Sequence, residues 1–593
     1  MVVRTLRTHF ARALIALLVL SLAACAPQPP AAQPPPTSGQ AAAPQPAEAT
    51  KPAAPGATAA PAAAAKPADA PKPAEAAKPS APTAAPAAAQ PAGNKIVNVG
   101  YTFDFRTWDP ARSYETGGSM VNYALYDALL LIDEGDSNKP LPMLATEWKI
   151  DPNGKVFTFT LRDGVKFASG NPLTSADVKF SFDRLKNLKG QPSFLAANMA
   201  EVQVPDPKTV VITLTNVDPA FIGMMGRSTF AVVDSKLARE NGATSEPGSD
   251  QTDKSEQWFL QNSAGSGPYI MKEYVPKDRV VLERNPNYWG KPPAMDRIVF
   301  RAIDDPAAQK LTLEKGDIDI AFDMTADQVK AIDESKGVKV FTALSMTQMF
   351  ASFNMDPQYG GPLSNPDVQK AVRYAIDYDG IVELVGGGAI KLPGIIQLGF
   401  LGALGPDAMP QPDLEMAKQL LTKAGFPGGF KIEHQVGANI KTSGVSHQML
   451  AEKLQTDLAR IGIVTTISVM DPVQYGDIYR GGKSTLQTRG WNPDYPDALN
   501  QLAFCPGEKV GQGRLNWKVE QAPEIAATCK QAMVELDQNK RAELIKKIQL
   551  MMFDNSPFAN LVQPGRQIGY RANLEGVRYS PVYQQDFTKL DRK

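Results

Sequence analysis

Histidine and cysteine are scarce, with three of each in 593 residues; beyond the first hundred positions lie only His434, His447, Cys505 and Cys529. The chain has no H-E-x-x-H, no paired C-x-x-C and no G-x-S-x-G, so readings as a zinc hydrolase, a zinc ribbon or a serine hydrolase have no support. Gly481-Gly482-Lys483-Ser484 looks like the end of a phosphate loop, but the position that motif reserves for its first glycine holds Asp477, and a polar turn is the better reading. An excess of either charge is also missing: 62 basic side chains face 62 acidic ones, which leaves no basic surplus to neutralise nucleic-acid phosphates. No repeat of 20–50 residues recurs, which excludes solenoids and propellers. His447 precedes a helical pattern and is expected at the surface or in a cap. Asp304-Asp305 and Asp317/Asp319 read as solvated loops and strand edges.

No apolar run is long enough to span a membrane. Ala13–Leu20, after Arg4, Arg7 and Arg12, is roughly half of the about 20 residues a spanning helix needs, so it reads as the centre of an export signal. Leu22-Ala23-Ala24-Cys25 resembles a bacterial lipoprotein cleavage box, which makes 1–24 a signal peptide and Cys25 the lipidated first residue; an ordinary cut near Ala24 is the alternative. Acyl chains would anchor the protein, and it would not span the membrane. Residues 26–93 hold 29 Ala and 18 Pro without one aromatic, so 25–94 cannot bury a core and is expected to be a disordered, partly extended linker. Export to an oxidising compartment lets the two remaining thiols, Cys505 and Cys529, pair as a disulfide; two buried free thiols are the alternative.

What folds is residues 95–593, enough for two or three lobes. Asn153-Gly154 predicts a turn before a strand over Val156–Leu161, and a second strand follows over Thr209–Leu214. Between them, Thr174 caps a helix carrying Asp177 in its first turn and Val178, Phe182 and Leu185 on one face. Ser364-Asn365-Pro366-Asp367 opens a helix expected to run to Gly386; further helices stop at Gly425 and Gly462, the latter followed by a strand from Ile463. The expectation is an α/β protein: a β-rich first lobe, an α/β second lobe and a ligand cleft between them.

Trp108-Asp109-Pro110, Asn122–Leu129, Pro140–Trp148, Phe157–Phe167 with Asp177–Ser181, Gly265–Tyr269, Glu283–Trp289, Asp367–Val372 and Gly490–Tyr495 come in an order that resembles the extracellular solute-binding proteins of family 5, the oligopeptide- and dipeptide-binding components of ABC importers. The resemblance covers essentially all of 95–593. It implies a two-lobe clamp of the periplasmic binding protein type (type II, cluster C) with an extra domain: lobe I from 95–138, 263–345 and 560–593, the extra domain from 139–262, and the opposing lobe from 346–559. It also implies an extracytoplasmic, monomeric, cofactor-free and non-enzymatic protein that hands its solute to permease subunits driven by cytoplasmic ATPases.

The family's ligand-flanking backbone maps onto Phe105, Arg106 and Thr107 and onto Gly490, Trp491 and Asn492, and its amine-anchoring aspartate maps onto Asp494. A turn-capping role for Asp494 is the alternative. Trp491 is read as a pocket wall or a core aromatic, and Asn354 as structural. The family is broad, so capture of an oligosaccharide, an opine or a metal complex stays open, as does a surface enzyme or a receptor that signals without transport.

Overall fold

The computed structural model describes residues 95–103, 105–133, 136 and 139–593. The proposed signal peptide, Cys25 and the linker lie outside them. Strands and helices follow local chemistry where that chemistry is strong. Ala145–Ile150 and Val156–Leu161 form the expected antiparallel hairpin. Its connection is a five-residue loop, in which the Asp151 carboxylate accepts the N–H groups of Lys155 and Val156, both at 2.7 Å. Helix Ser175–Asn187 follows Thr174, whose backbone N–H donates to Asp177 Oδ2 at 2.8 Å. Gly425 and Gly462 end their helices at φ +90° and +84°, where a Cβ would be strained.

The helix opened at Pro366 departs from expectation. It stops at Ala375, and a second helix, Tyr378–Val385, starts after it. Asn365, not Ser364, caps the first one, accepting the Asp367 N–H at 2.9 Å. Asp377 caps the second by accepting the Gly380 N–H at 3.0 Å. A carboxylate that satisfies a backbone donor locally competes with continuing the helix.

Two mixed sheets carry the architecture. One orders seven strands as Val338–Leu344, Gly565–Arg571, Ile320–Ala321, Ile96–Tyr101, Arg297–Ala302, Arg279–Arg284 and Tyr269–Val275. The other orders six as Ile390–Lys391, Phe558–Gln563, Gln348–Phe353, Leu486–Trp491, Phe430–Gly437 and Ile463–Met470. A separate four-stranded sheet, Ala145–Ile150, Val156–Leu161, Thr209–Leu214 and Met199–Asp206, is antiparallel throughout. The chain passes between the two large sheets by Ser345–Thr347 and returns by Pro564. These crossings are bonded to each other: the Ser345 N–H and hydroxyl donate to the Pro564 carbonyl at 3.1 and 2.7 Å, and Gln563 Nε2 donates to the Ser345 carbonyl at 2.8 Å. Proline has no N–H to extend a ladder, which places the change of sheet at Pro564.

Every residue of Gln348–Phe353 is buried. Met349, Ala351 and Phe353 enter a core with the helices over 366–385 and 447–459, while Phe350 enters a second core that also holds Phe159, Phe182 and Ile212 of the four-stranded sheet region. Cys505 and Cys529, both buried, are joined as a disulfide in that second core. A further ionic tie joins helix Ser175–Asn187 to the Trp108-Asp109-Pro110 segment. The Arg184 guanidinium donates to both Asp109 carboxylate oxygens at 2.6 and 2.7 Å and to Asp253 at 3.0 Å.

His447 is neither exposed nor a cap. Ser446 caps its helix, and the imidazole is buried with Nε2 2.8 Å from Thr442 Oγ1. His434 is fully buried, with Nε2 2.8 Å from Thr488 Oγ1. Burial lowers His434 from 6.5 to about 3, and burial with the nearby Arg489 charge lowers His447 to about 4. Below about pH 6.5 the unfolded chain therefore takes up protons that the native state refuses, and stability falls as pH drops toward the native values. The loss from pH 7 to pH 5 is about 2 kcal/mol per histidine. Asp127 acts in the opposite sense, because burial pushes it from 3.8 up to about 6 and its penalty is relieved on acidification. The clean readout is the difference between variants: His434→Gln should lose less stability than the parent between pH 7 and pH 5 in urea titrations. Equal losses would contradict the assignment.

Candidate ligand-binding site

A cavity of about 350 Å³ lies between the two large sheets. The seven-stranded side contributes Tyr101, Asp323 and Arg566; the crossing contributes Met346 and Thr347; the six-stranded side contributes Asn492, Pro493 and Asp494, which directly follow strand Leu486–Trp491. Tyr114 and Thr116, at the start of helix Thr116–Leu125, and Arg227, before the turn Ser228–Phe230, complete the end nearest Asp494.

Asp494 is half-buried. Its Oδ1 accepts the Tyr114 hydroxyl, and its backbone N–H donates to Asn500 Oδ1 at 3.1 Å. Asn500 Oδ1 also accepts Trp491 Nε1 at 3.3 Å, so one buried amide sets the path of the chain from Trp491 to Asp494. Burial, reinforced by the Asp494 charge, raises the Tyr114 hydroxyl well above its ordinary range and keeps it a donor. No cation pairs with Asp494 among the described residues. Asp323 differs, because Arg566 Nη2 lies 3.1 Å from it and the Thr102 N–H donates to it at 2.8 Å. Arg227 has a buried Nε without a hydrogen-bond partner. Burial lowers its affinity for the proton, and Tyr114 and Asp494 only partly offset that.

The structure divides the residues expected at the site. Asp494 and Asn492 line the cavity, and Asn492 Oδ1 accepts the Thr347 hydroxyl at 2.6 Å across the sheets' junction. Gly490 and Trp491 lie behind it. Both pair with the neighbouring strand, opposite Met349 and Gln348, and the Trp491 ring packs edge-on against Phe504 at 5.3 Å, with the Arg514 guanidinium 5.1 Å from its centroid. Trp491 is thus placed as packing rather than as a wall. Phe105, Arg106 and Thr107 form no strand and are absent from the lining. Phe105 stacks on Tyr101 at 5.7 Å and packs at a tilt against Trp108 at 5.1 Å, Arg106 pairs with Glu115 at 3.2 Å, and Thr107 Oγ1 accepts the Asp109 N–H at 3.2 Å. Asn354 is buried, with Nδ2 donating to the carbonyls of Gly482 and Ser484 at 2.9 and 2.8 Å, a structural role.

The model of the bacterial extracellular solute-binding proteins, family 5 (middle region), matches residues 139–510. The chain belongs to that family. Among known family 5 proteins, it is 25% identical over 513 residues to the "Probable D,D-dipeptide-binding periplasmic protein" of Escherichia coli K12, covering 85% of this chain and 95% of that one. It is 27% identical over 467 residues to heme-binding protein A of Haemophilus influenzae, covering 75% and 82%. A crystal structure of the dipeptide-binding protein of Pseudoalteromonas sp. SM9913 in complex with Met-Leu shares the fold, with TM-score 0.69 and 23% identity over 84% of this chain and all of that one. As in the rest of family 5, the fold is a mixed α/β binding-protein architecture. Among the described residues no helix is long and apolar enough to cross a membrane.

Sequence reasoning missed Tyr114, Arg227, Asn500 and the Asp323–Arg566 pair. One signal was available: Arg227 is the sole charge in the otherwise apolar or small run from Pro219 to Val233, and a solitary cation there has no local reason to exist.

Proposed function

We propose that this family 5 protein captures short peptides outside the cytoplasm and delivers them to an ABC permease, with Asp494 holding the cargo's α-amino group. The observation that carries this is a carboxylate that lines the inter-sheet cavity, with no salt bridge to a cation among the described residues, in the segment Gly490–Asp494. Backbone and hydroxyl groups around it suit peptide amides, which gives affinity without dependence on side-chain identity. A cavity of about 350 Å³ falls at the small end of ligand pockets, about 300–1,000 Å³, and suits a peptide of about two or three residues. The dipeptide-binding relatives support the same reading.

In the proposed arrangement, lobe I comprises 95–138, 263–345 and the tail from Pro564, the extra domain 139–262 and the opposing lobe 346–563, hinged at Ser345–Thr347 and Pro564; the boundary expected between 559 and 560 moves because strand Phe558–Gln563 lies wholly in the six-stranded sheet. Cargo touches both lobes only when they are shut, so it shifts the open–closed equilibrium by the worth of those added contacts. Moving the closed form from about 1% to 99% requires roughly 5.5 kcal/mol of differential affinity. Lipidation at Cys25 would keep the clamp near its permease. A peptide acetylated at its N-terminus loses the ammonium and should bind at least about tenfold more weakly than its free form. Equal affinity in calorimetry would point to another solute class, of which the haem-binding relative is one example.

A further inference from the structure

A strand at the edge of a sheet presents unpaired backbone N–H and C=O groups, and proteins that stay apart blunt such edges with short strands, charged side chains or proline. The edges of the seven-, six- and four-stranded sheets follow that rule in all cases but one. Val338–Leu344 carries Lys339, Tyr269–Val275 carries Lys272 and Glu273, and Ala145–Ile150 carries Glu147 and Lys149. Met199–Asp206 carries Glu201, Pro205 and Asp206, and Ile390–Lys391 is only two residues long. The exception is Ile463–Met470, the other edge of the six-stranded sheet. Its eight residues include no charge and no proline, and its Val464 and Val469 are 49% and 50% exposed.

In a ladder bonded on one side only, alternate residues turn both backbone groups outward. The Met470 carbonyl faces inward, because it accepts the Ala438 N–H at 2.9 Å just beyond the parallel partner strand Phe430–Gly437. Ile463, Thr465, Ile467 and Val469 therefore face outward, and there the Thr465 carbonyl is met by a side chain, Gln455 Nε2 at 2.6 Å. Opposite charges flank the strand. Arg460 precedes it and Asp471 follows it; both are exposed, and neither has an ion pair among the described residues. The Asp471 carboxylate accepts only the N–H groups of Val473 and Gln474, at 2.8 and 3.2 Å.

We propose that Ile463–Met470 pairs antiparallel with the same strand of a second copy, about a two-fold axis at Ile467, in place of the monomer expected from the resemblance. Ile467 then exchanges hydrogen bonds with its own counterpart, and Thr465 with Val469 of the second copy; the Thr465 carbonyl has a second lone pair for that bond. Thr466 of each copy lies opposite Ser468 of the other in the close, non-hydrogen-bonded pairs. Arg460 of each copy falls at the end where the other carries Asp471. The charges thus complement each other twice, which favours a second copy over a strand of unrelated sequence. Eight paired residues make a small interface, so the pair forms reversibly as concentration rises.

The test is sedimentation of the full chain over a range of concentrations, beside Val469→Pro and Arg460→Glu. Val469→Pro removes one outward N–H and leaves the inner ladder intact, so it should fold and capture peptide as the parent does while pairing at least about tenfold more weakly. Arg460→Glu places like charges at both ends and should weaken pairing about fivefold. Cross-linking reads the register without removing a backbone donor. In a Cys25→Ser background, where Cys505 and Cys529 already pair, Thr466→Cys with Ser468→Cys should oxidise to a covalent dimer, and Thr466→Cys alone should give far less. A parent that stays monomeric leaves this edge to another occupant and overturns the proposal. Self-association that Val469→Pro leaves unchanged, or absence of the 466–468 cross-link, overturns it equally.

Discussion

Asp494→Ala is expected to weaken the capture of a free short peptide by two to four decades, while the protein still folds. Loss of one partner of a largely desolvated ammonium–carboxylate pair costs about 3–5 kcal/mol, most of it from the ammonium left unmatched. Each factor of ten in affinity corresponds to about 1.4 kcal/mol, which gives that range. Asp494 is half-buried, so water screens the pair in part and the lower end of the range is expected. Folding persists because, among the described residues, the carboxylate's one hydrogen-bond partner is the Tyr114 hydroxyl, and the segment's course is held by the Asp494 backbone N–H on Asn500. Calorimetry with a free dipeptide, alongside urea unfolding of the same sample, separates lost affinity from lost structure. Unchanged affinity would remove Asp494 from the site.

Arg184→Met is expected to be the most damaging single change outside the cavity. Arg184 and Asp109 are both buried, and the Arg184 guanidinium binds both oxygens of Asp109, one oxygen of Asp253 and the Ser255 hydroxyl at 2.6–3.0 Å. Burial opposes its charge, yet Asp109 and Asp253 raise its hold on the proton above the ordinary range. Its removal leaves two carboxylates whose side chains have no solvent access with Arg112 as their remaining cation among the described residues, Nη1 3.2 Å from Asp109 and Nη2 3.5 Å from Asp253, so the cost is expected at the lower end of about 3–5 kcal/mol. Arg184→Lys should recover little, because a point charge cannot serve Asp109 through two parallel bonds and reach Asp253 as well. Urea unfolding of the ligand-free protein reads both changes. A loss below about 1 kcal/mol for Arg184→Met would mean that the guanidinium's desolvation cancels its attraction to Asp109 and Asp253.

How much of this was legible in the sequence depended on the range of the interaction that decided each feature. The hairpin over 145–161, the Thr174–Asp177 helix start and the glycine stops at Gly425 and Gly462 rest on donors and acceptors a few residues apart, and all formed where local chemistry put them. The break between Ala375 and Tyr378 was missed although its cause is equally local, because the apolar period runs through it and masks the Asp377 cap. At the site, Asp494 could be placed from the motif around it. Tyr114, 380 positions away in sequence, could not, since only the fold brings its hydroxyl to Asp494. Phe105 illustrates the converse. Its neighbours suggested ligand-facing backbone, but Tyr101, Phe103, Trp108 and Phe300 surround its ring and draw it into packing.

The measurement that most directly addresses the central claim is a two-by-two cycle of affinities: parent and Asp494→Ala, each titrated with one dipeptide in free and N-acetylated form. If the aspartate and the ammonium meet, acetylation weakens binding to the parent at least about tenfold and has almost no further effect on Asp494→Ala, so the two changes are strongly non-additive. Independent, additive losses would show that this carboxylate and this amine do not touch, and the capture mechanism described here would be wrong.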